Sequence, residues 1–204
     1  MAYIRKPLLL MLCGIVCAIF SNTSFAKGGG SPFGVELFAK GSYSKNTLSA
    51  DVFLQNATVT TGLALGLGSV IRLEARFALI ESYQNRLDVT SSSGEQFIVT
   101  SIHTQTKNYT LGVDIDFLSD KSPFRPFVFI GAGYVESERT YSVSGEFRRD
   151  GKVIGMSANG GLGFKIMVAR SIAFETEGLA VATNVTKPNP LIDYYLTLGI
   201  RVYL

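Results

Sequence analysis

Charged residues recur at alternate positions in several segments of this 204-residue chain. Arg72, Glu74 and Arg76 are spaced two apart, and the pairs at 114 and 116 and at 175 and 177 repeat that spacing. Successive side chains of a β-strand point to opposite faces, so residues two apart share one face. Such a charged face can form ion pairs, or it can line a narrow path for ions or protons.

The full set comprises five bases and six acids at positions that share the polar face of an alternating pattern. They are Glu36, Lys40, Arg72, Glu74, Arg76, Asp114, Asp116, Lys165, Glu175, Glu177 and Arg201. Facing one another inside a small closed barrel, they would pair and fill the interior. The alternative is a narrow polar pore. We expect the ion pairs.

Elements with a two-residue period must position these charges. Eight stretches alternate apolar and polar residues; in the last, even-numbered positions from Tyr194 to Leu204 are apolar. Short connections near 68–69, 119–123 and 168–171 alternate with longer polar ones at 45–57, 82–101, 136–152 and 180–190. This layout predicts an all-β fold, an eight-stranded antiparallel up-and-down transmembrane β-barrel.

The apolar face distinguishes a membrane barrel from a soluble one. It carries no charged residue in any of the eight stretches, which is what lipid requires and more than water requires. We therefore expect an integral protein of the bacterial outer membrane, with lipid and lipopolysaccharide as its surroundings. The four longer connections would lie outside the cell.

Residues 1–26 have the pattern of a secretory signal peptide. Arg5 and Lys6 precede an apolar run at 7–20, and Ser24-Phe25-Ala26 fits a cleavage site. An uncleaved anchor is the alternative, but 14 apolar residues are short for a hydrocarbon core of about 30 Å. We expect the mature barrel domain to occupy 27–204, starting at Lys27. Both cysteines precede it, and its charge is near neutral, which disfavours nucleic-acid binding.

Two segments carry a family resemblance. The stretch 125–134, RPFVFIGAGY, resembles the R-P-Y-x-G-x-G-x-G-Y strand of small outer-membrane barrels. This family includes opacity-protein-like surface proteins and the transmembrane domain of outer membrane protein A. The last strand, ending in Tyr203 and Leu204, is similar to the signal read by the barrel-assembly machinery, although that signal usually ends in Phe. The resemblance covers about 31–204 and implies that this machinery is a partner.

The resemblance implies architecture more than activity. We expect a structural or surface-interaction role, including adhesion, with a host or cell-surface ligand at the four loops and a monomeric barrel. A narrow porin-like channel is the alternative. A lipid-modifying barrel enzyme is a third hypothesis, because such enzymes use a His and a Ser two residues apart together with an acid.

The enzyme hypothesis depends on the single histidine, His103. Gln105 stands where the nucleophilic serine is expected, and Ser101, two residues before, is the remaining candidate. One histidine and no mature cysteine leave no convincing transition-metal site. We therefore predict no catalytic residue, no metal and no cofactor.

Aromatic residues and glycines complete the predicted barrel. Tyr43, Tyr109, Tyr134 and Tyr194 lie on the apolar parity and are expected to form an outer aromatic belt. Phe117 and Phe164 would mark the opposite rim. Five glycines are expected where strands crowd together: Gly131, Gly133, Gly160, Gly161 and Gly163.

Overall fold

A computed structural model describes residues 34–49, 52–90, 96–119, 121–143, 146–186 and 191–204. The predicted signal peptide and the expected start at Lys27 lie outside the described residues. Within the described ranges, no helix combines the length and the apolar character that a membrane span needs.

The described chain forms nine antiparallel strands: β1 (Val35–Ser49), β2 (Val52–Gly66), β3 (Ile71–Thr90), β4 (Gln96–Asp116), β5 (Phe124–Val143), β6 (Glu146–Arg149), β7 (Val153–Ala169), β8 (Ile172–Thr183) and β9 (Leu191–Tyr203). Eight of them close into a barrel in the order β1-β2-β3-β4-β5-β7-β8-β9. The short strand β6 pairs with the far end of β5. The prediction of an eight-stranded barrel is confirmed.

The first and last barrel strands pair with each other and remove the exposed sheet edges. Their register runs from Glu36 opposite Tyr203 to Gly41 opposite Leu198. The amide of Leu204 also donates to the carbonyl oxygen of Val35 at 2.9 Å. Closure satisfies the backbone groups of both edge strands, as lipid requires of a spanning sheet.

The two ends of the barrel differ. One end, the short-turn end, holds the connections at 67–70, 117–123 and 170–171, together with the start of β1 and the end of β9. At the opposite end, the long-hairpin end, β1 to β4 continue to Ser49, Val52, Thr90 and Gln96, and β5 continues to Val143.

These continuations correct the predicted loops. Much of 45–57, 82–101 and 136–152 is paired strand, and β8 continues to Thr183. We call the part of the barrel whose outer face is apolar the apolar zone. Beyond it both faces of a strand can be polar, so apolar and polar residues no longer alternate. The backbone ladder needs no apolar side chain and continues regardless.

The two faces of the wall follow the predicted parity. Leu111, Ile130 and Leu198 point outward and are 63–71% exposed, whereas the charged positions point inward.

One of the five glycines predicted to lie where strands crowd together is assigned wrongly. Gly160 faces outward with open space at its missing side chain, whereas Gly131, Gly133, Gly161 and Gly163 lie against neighbouring strands or side chains.

Candidate functional site

Six strands carry charged side chains into the lumen near the short-turn end. They are the eleven residues named from the sequence, and we call them the ion-pair network: Glu36 and Lys40 on β1, Arg72, Glu74 and Arg76 on β3, Asp114 and Asp116 on β4, Lys165 on β7, Glu175 and Glu177 on β8, and Arg201 on β9. All eleven are buried, with at most 6% of each residue exposed. The barrel thus brings the whole predicted set together.

Arg201 lies at the centre of the network. Its Nε donates to Glu175 at 2.7 Å, its Nη1 to Glu36 at 2.8 Å and its Nη2 to Glu74 at 2.7 Å. The three acceptors come from three other strands. A planar guanidinium offers donors in several fixed directions, which suits a group that bridges separate carboxylates.

The remaining contacts form two closed circuits that share Arg201. The first circuit runs through Lys40, Glu175, Arg201, Glu74, Arg76 and Glu177, with N–O distances of 2.5–2.8 Å. The second runs through Arg201, Glu36, Arg72, Asp116, Lys165 and Asp114, and closes with an Arg201–Asp114 distance of 3.7 Å. Each acid therefore contacts at least two bases.

The charges of β3 pair both with other strands and with each other. Arg72 pairs with Glu36 on β1 and with Asp116 on β4, the latter at 2.6 Å. Arg76 pairs with Glu177 on β8 and with Glu74 on its own strand. Parity shows which residues face inward, but the pairing depends on how the strands tilt around the barrel.

Aromatic rings cover the cations of the network. Phe38 lies under Arg201, with 4.7 Å between the guanidinium carbon and the ring centroid. Phe127 covers Lys165 at 4.5 Å, and Phe129 covers Arg76 at 3.2 Å. A cation over a desolvated ring face gains electrostatic energy. The network is therefore enclosed by ring faces as well as by carboxylates.

An apolar cluster follows towards the long-hairpin end, and the sequence analysis missed it. It consists of Phe127, Phe129, Leu179 and Val181, with Tyr195 packed against them. The sequence contains the pattern that predicts this cluster, because positions 179 and 181 share the inward face of the strand with Glu175 and Glu177. The connection predicted at 180–190 includes Val181, so the predicted strand ends short of this cluster.

Amides and hydroxyls form a second polar group in the lumen, beside the apolar cluster. Asn159 donates from Nδ2 to Thr110, and Ser157 donates to Asn108 Oδ1 at 2.9 Å. Asn108 Nδ2 in turn donates to Asn159 Oδ1 at 3.4 Å. These side chains join β4 to β7 across the lumen, where a channel would need open space.

Two further residues close the short-turn end. Arg125, which the sequence analysis also missed, is buried and donates from Nε to the carbonyl oxygen of Ser122 at 3.0 Å. Its guanidinium carbon lies 5.5 Å from the ring centroid of Tyr203. Tyr203 thus points inward, whereas Leu204 is 65% exposed on the outer face.

All four tyrosines of the expected belt face outward. Tyr43, Tyr109, Tyr134 and Tyr194 are each exposed, and the rings of Tyr109 and Tyr134 lie 6.4 Å apart. Phe117 and Phe164 are also on the outer face. The outward orientation of these four tyrosines agrees with the predicted strand register at their positions.

The candidate catalytic residues lie on the long-hairpin part of β4. His103 stands opposite Tyr83 on β3 and Thr140 on β5, and Ser101 stands opposite Asn85 and Ser142. Gln105 donates to Glu81 at 3.4 Å. Among the described residues, no group of three or more His, Cys, Asp or Glu side chains is arranged to hold a metal ion.

Comparison with known proteins bears on the fold. No protein-family model matches the sequence, and no curated protein matches it. Among solved structures, the N-terminal β-barrel domain of OprF from Pseudomonas aeruginosa is similar at 18% identity over 84% of this chain and 97% of that chain, with a TM-score of 0.48. Neisserial surface protein A is similar at 16% identity over 85% and 98%, with a TM-score of 0.44.

A third structure decides the fold. The outer membrane protein OprG from Pseudomonas aeruginosa aligns over 87% of this chain and 98% of that chain, with 10% identity and a TM-score of 0.55. This chain has the fold of a small outer-membrane β-barrel. In this fold, the apolar residues form the outer wall, and the ion-pair network lies inside the barrel near the short-turn end.

The long-hairpin end carries a second set of charges, in which the bases are exposed and the acids are half-buried. Lys152 pairs with Glu136 at 2.7 Å, and Arg149 pairs with Glu138. The hydrogen bond to Glu136 raises the pKa of Lys152 above its ordinary value. These pairs link β6 and the residue that precedes β7 to β5, outside the apolar zone.

Proposed function

We propose that this protein is an integral barrel of the bacterial outer membrane that acts through its long-hairpin end as a structural and surface-interaction protein. The closed lumen is the observation that carries this proposal. When paired charges and aromatic rings fill the interior of a barrel, its ends remain as the accessible functional surface.

The closed lumen disfavours the narrow-channel alternative. The six acids and five bases contact one another at distances near 2.5–2.8 Å, and the ends of their side chains are at most 6% exposed. Ions could pass only if several of these pairs opened together. Opening one buried pair leaves uncompensated charges, which is costly.

The long-hairpin end supplies the interaction surface. Three hairpins extend β1–β2, β3–β4 and β5–β6 past the apolar zone, and the β5–β6 hairpin presents Phe147, 81% exposed, beside Arg148 and Arg149. We propose that these hairpins contact a host or cell-surface ligand. Lipid and lipopolysaccharide would surround the wall of a monomer, and the assembly machinery would read the strand that ends in Leu204.

We propose no catalytic role for His103. Its partners directly across the ladder, Tyr83 and Thr140, are not the acid that a Ser-His-acid triad needs. The nearest acids in the register, Glu81 and Glu138, stand opposite Gln105, two residues along the strand. A lipid-modifying activity would require that acid within hydrogen-bond reach of the histidine.

Hairpin-shortened variants test the surface role. We would replace 141–149 by a tight Asn-Gly turn, with the matched shortening of 46–55 on the β1–β2 hairpin, and measure binding to cells, serum proteins and glycans. We expect at least one shortened barrel to keep its thermal midpoint and lose binding. Unchanged binding in every folded variant would leave only the structural role.

Fractionation and N-terminal sequencing test the location. We expect the protein in the outer-membrane fraction with Lys27 as its first residue, because 1–26 would be removed on export. A soluble chain beginning at Met1 would contradict both the location and the export route.

A further inference from the structure

A small cavity lies in the lumen beside the ion-pair network, on the side of the long-hairpin end. Its volume is about 20 Å³. Its polar lining comes from Thr58, Thr60, Arg76, Asn108, Thr110 and Asn159, and apolar side chains and the rings of Phe129 and Tyr195 supply the rest of the wall. Asn108, Thr110 and Asn159 already bond to one another.

Three polar atoms of this lining have no hydrogen-bond partner among the described residues. They are the Thr58 Oγ1, the Thr60 Oγ1 and the Arg76 Nη2 atoms. The three residues are 2–6% exposed, so bulk water does not reach them. Buried donors and acceptors without partners are rare, because each retains the full cost of its desolvation. Three of them on one small cavity indicate a bound molecule.

The position of the Arg76 Nη2 atom is fixed by its neighbours. Arg76 Nε donates to Glu74 at 2.7 Å, and Nη1 donates to Glu177 at 2.8 Å. The ring of Phe129 lies against the guanidinium face, 3.2 Å from its central carbon. The planar group therefore cannot rotate Nη2 towards another acceptor without breaking an ion pair.

We propose that the cavity holds one ordered water molecule, which accepts a hydrogen bond from Arg76 Nη2 and bonds the hydroxyls of Thr58 and Thr60. A buried water needs about 10–15 Å³ of such space and two to four polar partners. The cavity provides about 20 Å³ and three.

Charge balance selects water over an anion. The guanidinium of Arg76 already contacts two carboxylates, Glu74 and Glu177. A halide beside Nη2 would add a third negative charge to one base, in surroundings with little screening. A neutral ligand satisfies the same donors without that cost. This inference concerns the interior alone and does not depend on the proposed surface role.

Crystals grown with chloride and with bromide test the identity of the ligand directly. We expect one fully occupied water between the Thr58, Thr60 and Arg76 atoms in both salts, with no anomalous signal in bromide. An anomalous bromide peak would show an anion site, and absence of density in a well-ordered lumen would show a dry cavity. Either result overturns the proposal.

A pair of matched variants tests the energetic role. Thr60→Val removes a lumenal hydroxyl, and Thr61→Val makes the same change on the outer face of the same strand. We expect Thr60→Val to lower the urea midpoint, because the water and Arg76 lose a partner, and Thr61→Val to leave it unchanged or raise it. If the cavity is dry, Thr60→Val removes an unsatisfied hydroxyl and should instead raise the midpoint.

Discussion

At the scale of single residues, one guanidinium organises the lumen. Arg201 contacts Glu36, Glu74 and Glu175, which belong to β1, β3 and β8. A lysine at this position would offer one point charge in place of a fork of fixed donors. The closing strand β9 is thus tied to three other strands through one side chain, in addition to its backbone ladders.

Removal of one acid should expose the cost of an uncompensated base. Glu74→Ala leaves Arg76 with one carboxylate and Arg201 with fewer partners, so we expect the free energy of unfolding to fall by about 3–5 kcal/mol. Denaturant titration in detergent or lipid measures this. Glu138→Ala breaks a Glu–Arg pair at the surface, in which Arg149 is exposed and Glu138 half-buried, and should cost less than about 1 kcal/mol. Equal effects of the two variants would mean that the lumen is wet enough to screen its charges.

At the scale of the strands, the alternation in the sequence predicted which side of the barrel wall each residue faces, but not where the strands end. Alternation placed all eleven charges inside and the four tyrosines outside, because a strand with one lipid face must alternate strictly. It failed beyond the apolar zone, where β3 and β4 continue as a polar ladder to Thr90 and from Gln96. On β8 the predicted alternation ended before Leu179 and Val181, so these two lumenal residues were not predicted.

The last strand provides a test of register at its final residue. Leu204 is exposed on the outer face, and its amide bonds to Val35 of β1. Leu204→Asp would place a charge on the lipid side of the closing pair, so we expect little folded barrel in the outer membrane. Leu204→Phe, which restores the usual last residue of the assembly signal, should assemble at least as well as the wild type. Normal assembly of the Asp variant would mean that position 204 does not face lipid.

At the scale of the whole molecule, the layers of the lumen could not be derived from the sequence. Parity shows that a residue points inward, but not its height or its partner, since both depend on the tilt and stagger of eight strands. Asp116 on β4 as a partner of Arg72 on β3 follows from that stagger. The apolar cluster and the Asn–Ser–Thr group stand above the network for the same reason.

This layering leads to a prediction for ion conduction. Ions crossing the barrel would have to pass the ion-pair network and then the cluster around Phe127 and Phe129, both of which are buried. We therefore expect the purified wild-type barrel to conduct poorly or not at all in a planar bilayer. Glu74→Ala should change conductance little, because the aromatic layer and the remaining pairs still fill the lumen, while its stability falls. The opposite pattern would favour the pore: steady, ion-selective wild-type conductance that Glu74→Ala alters without any loss of stability. Since stability and conductance are measured on the same two proteins, the comparison separates a filled lumen from a hydrated one.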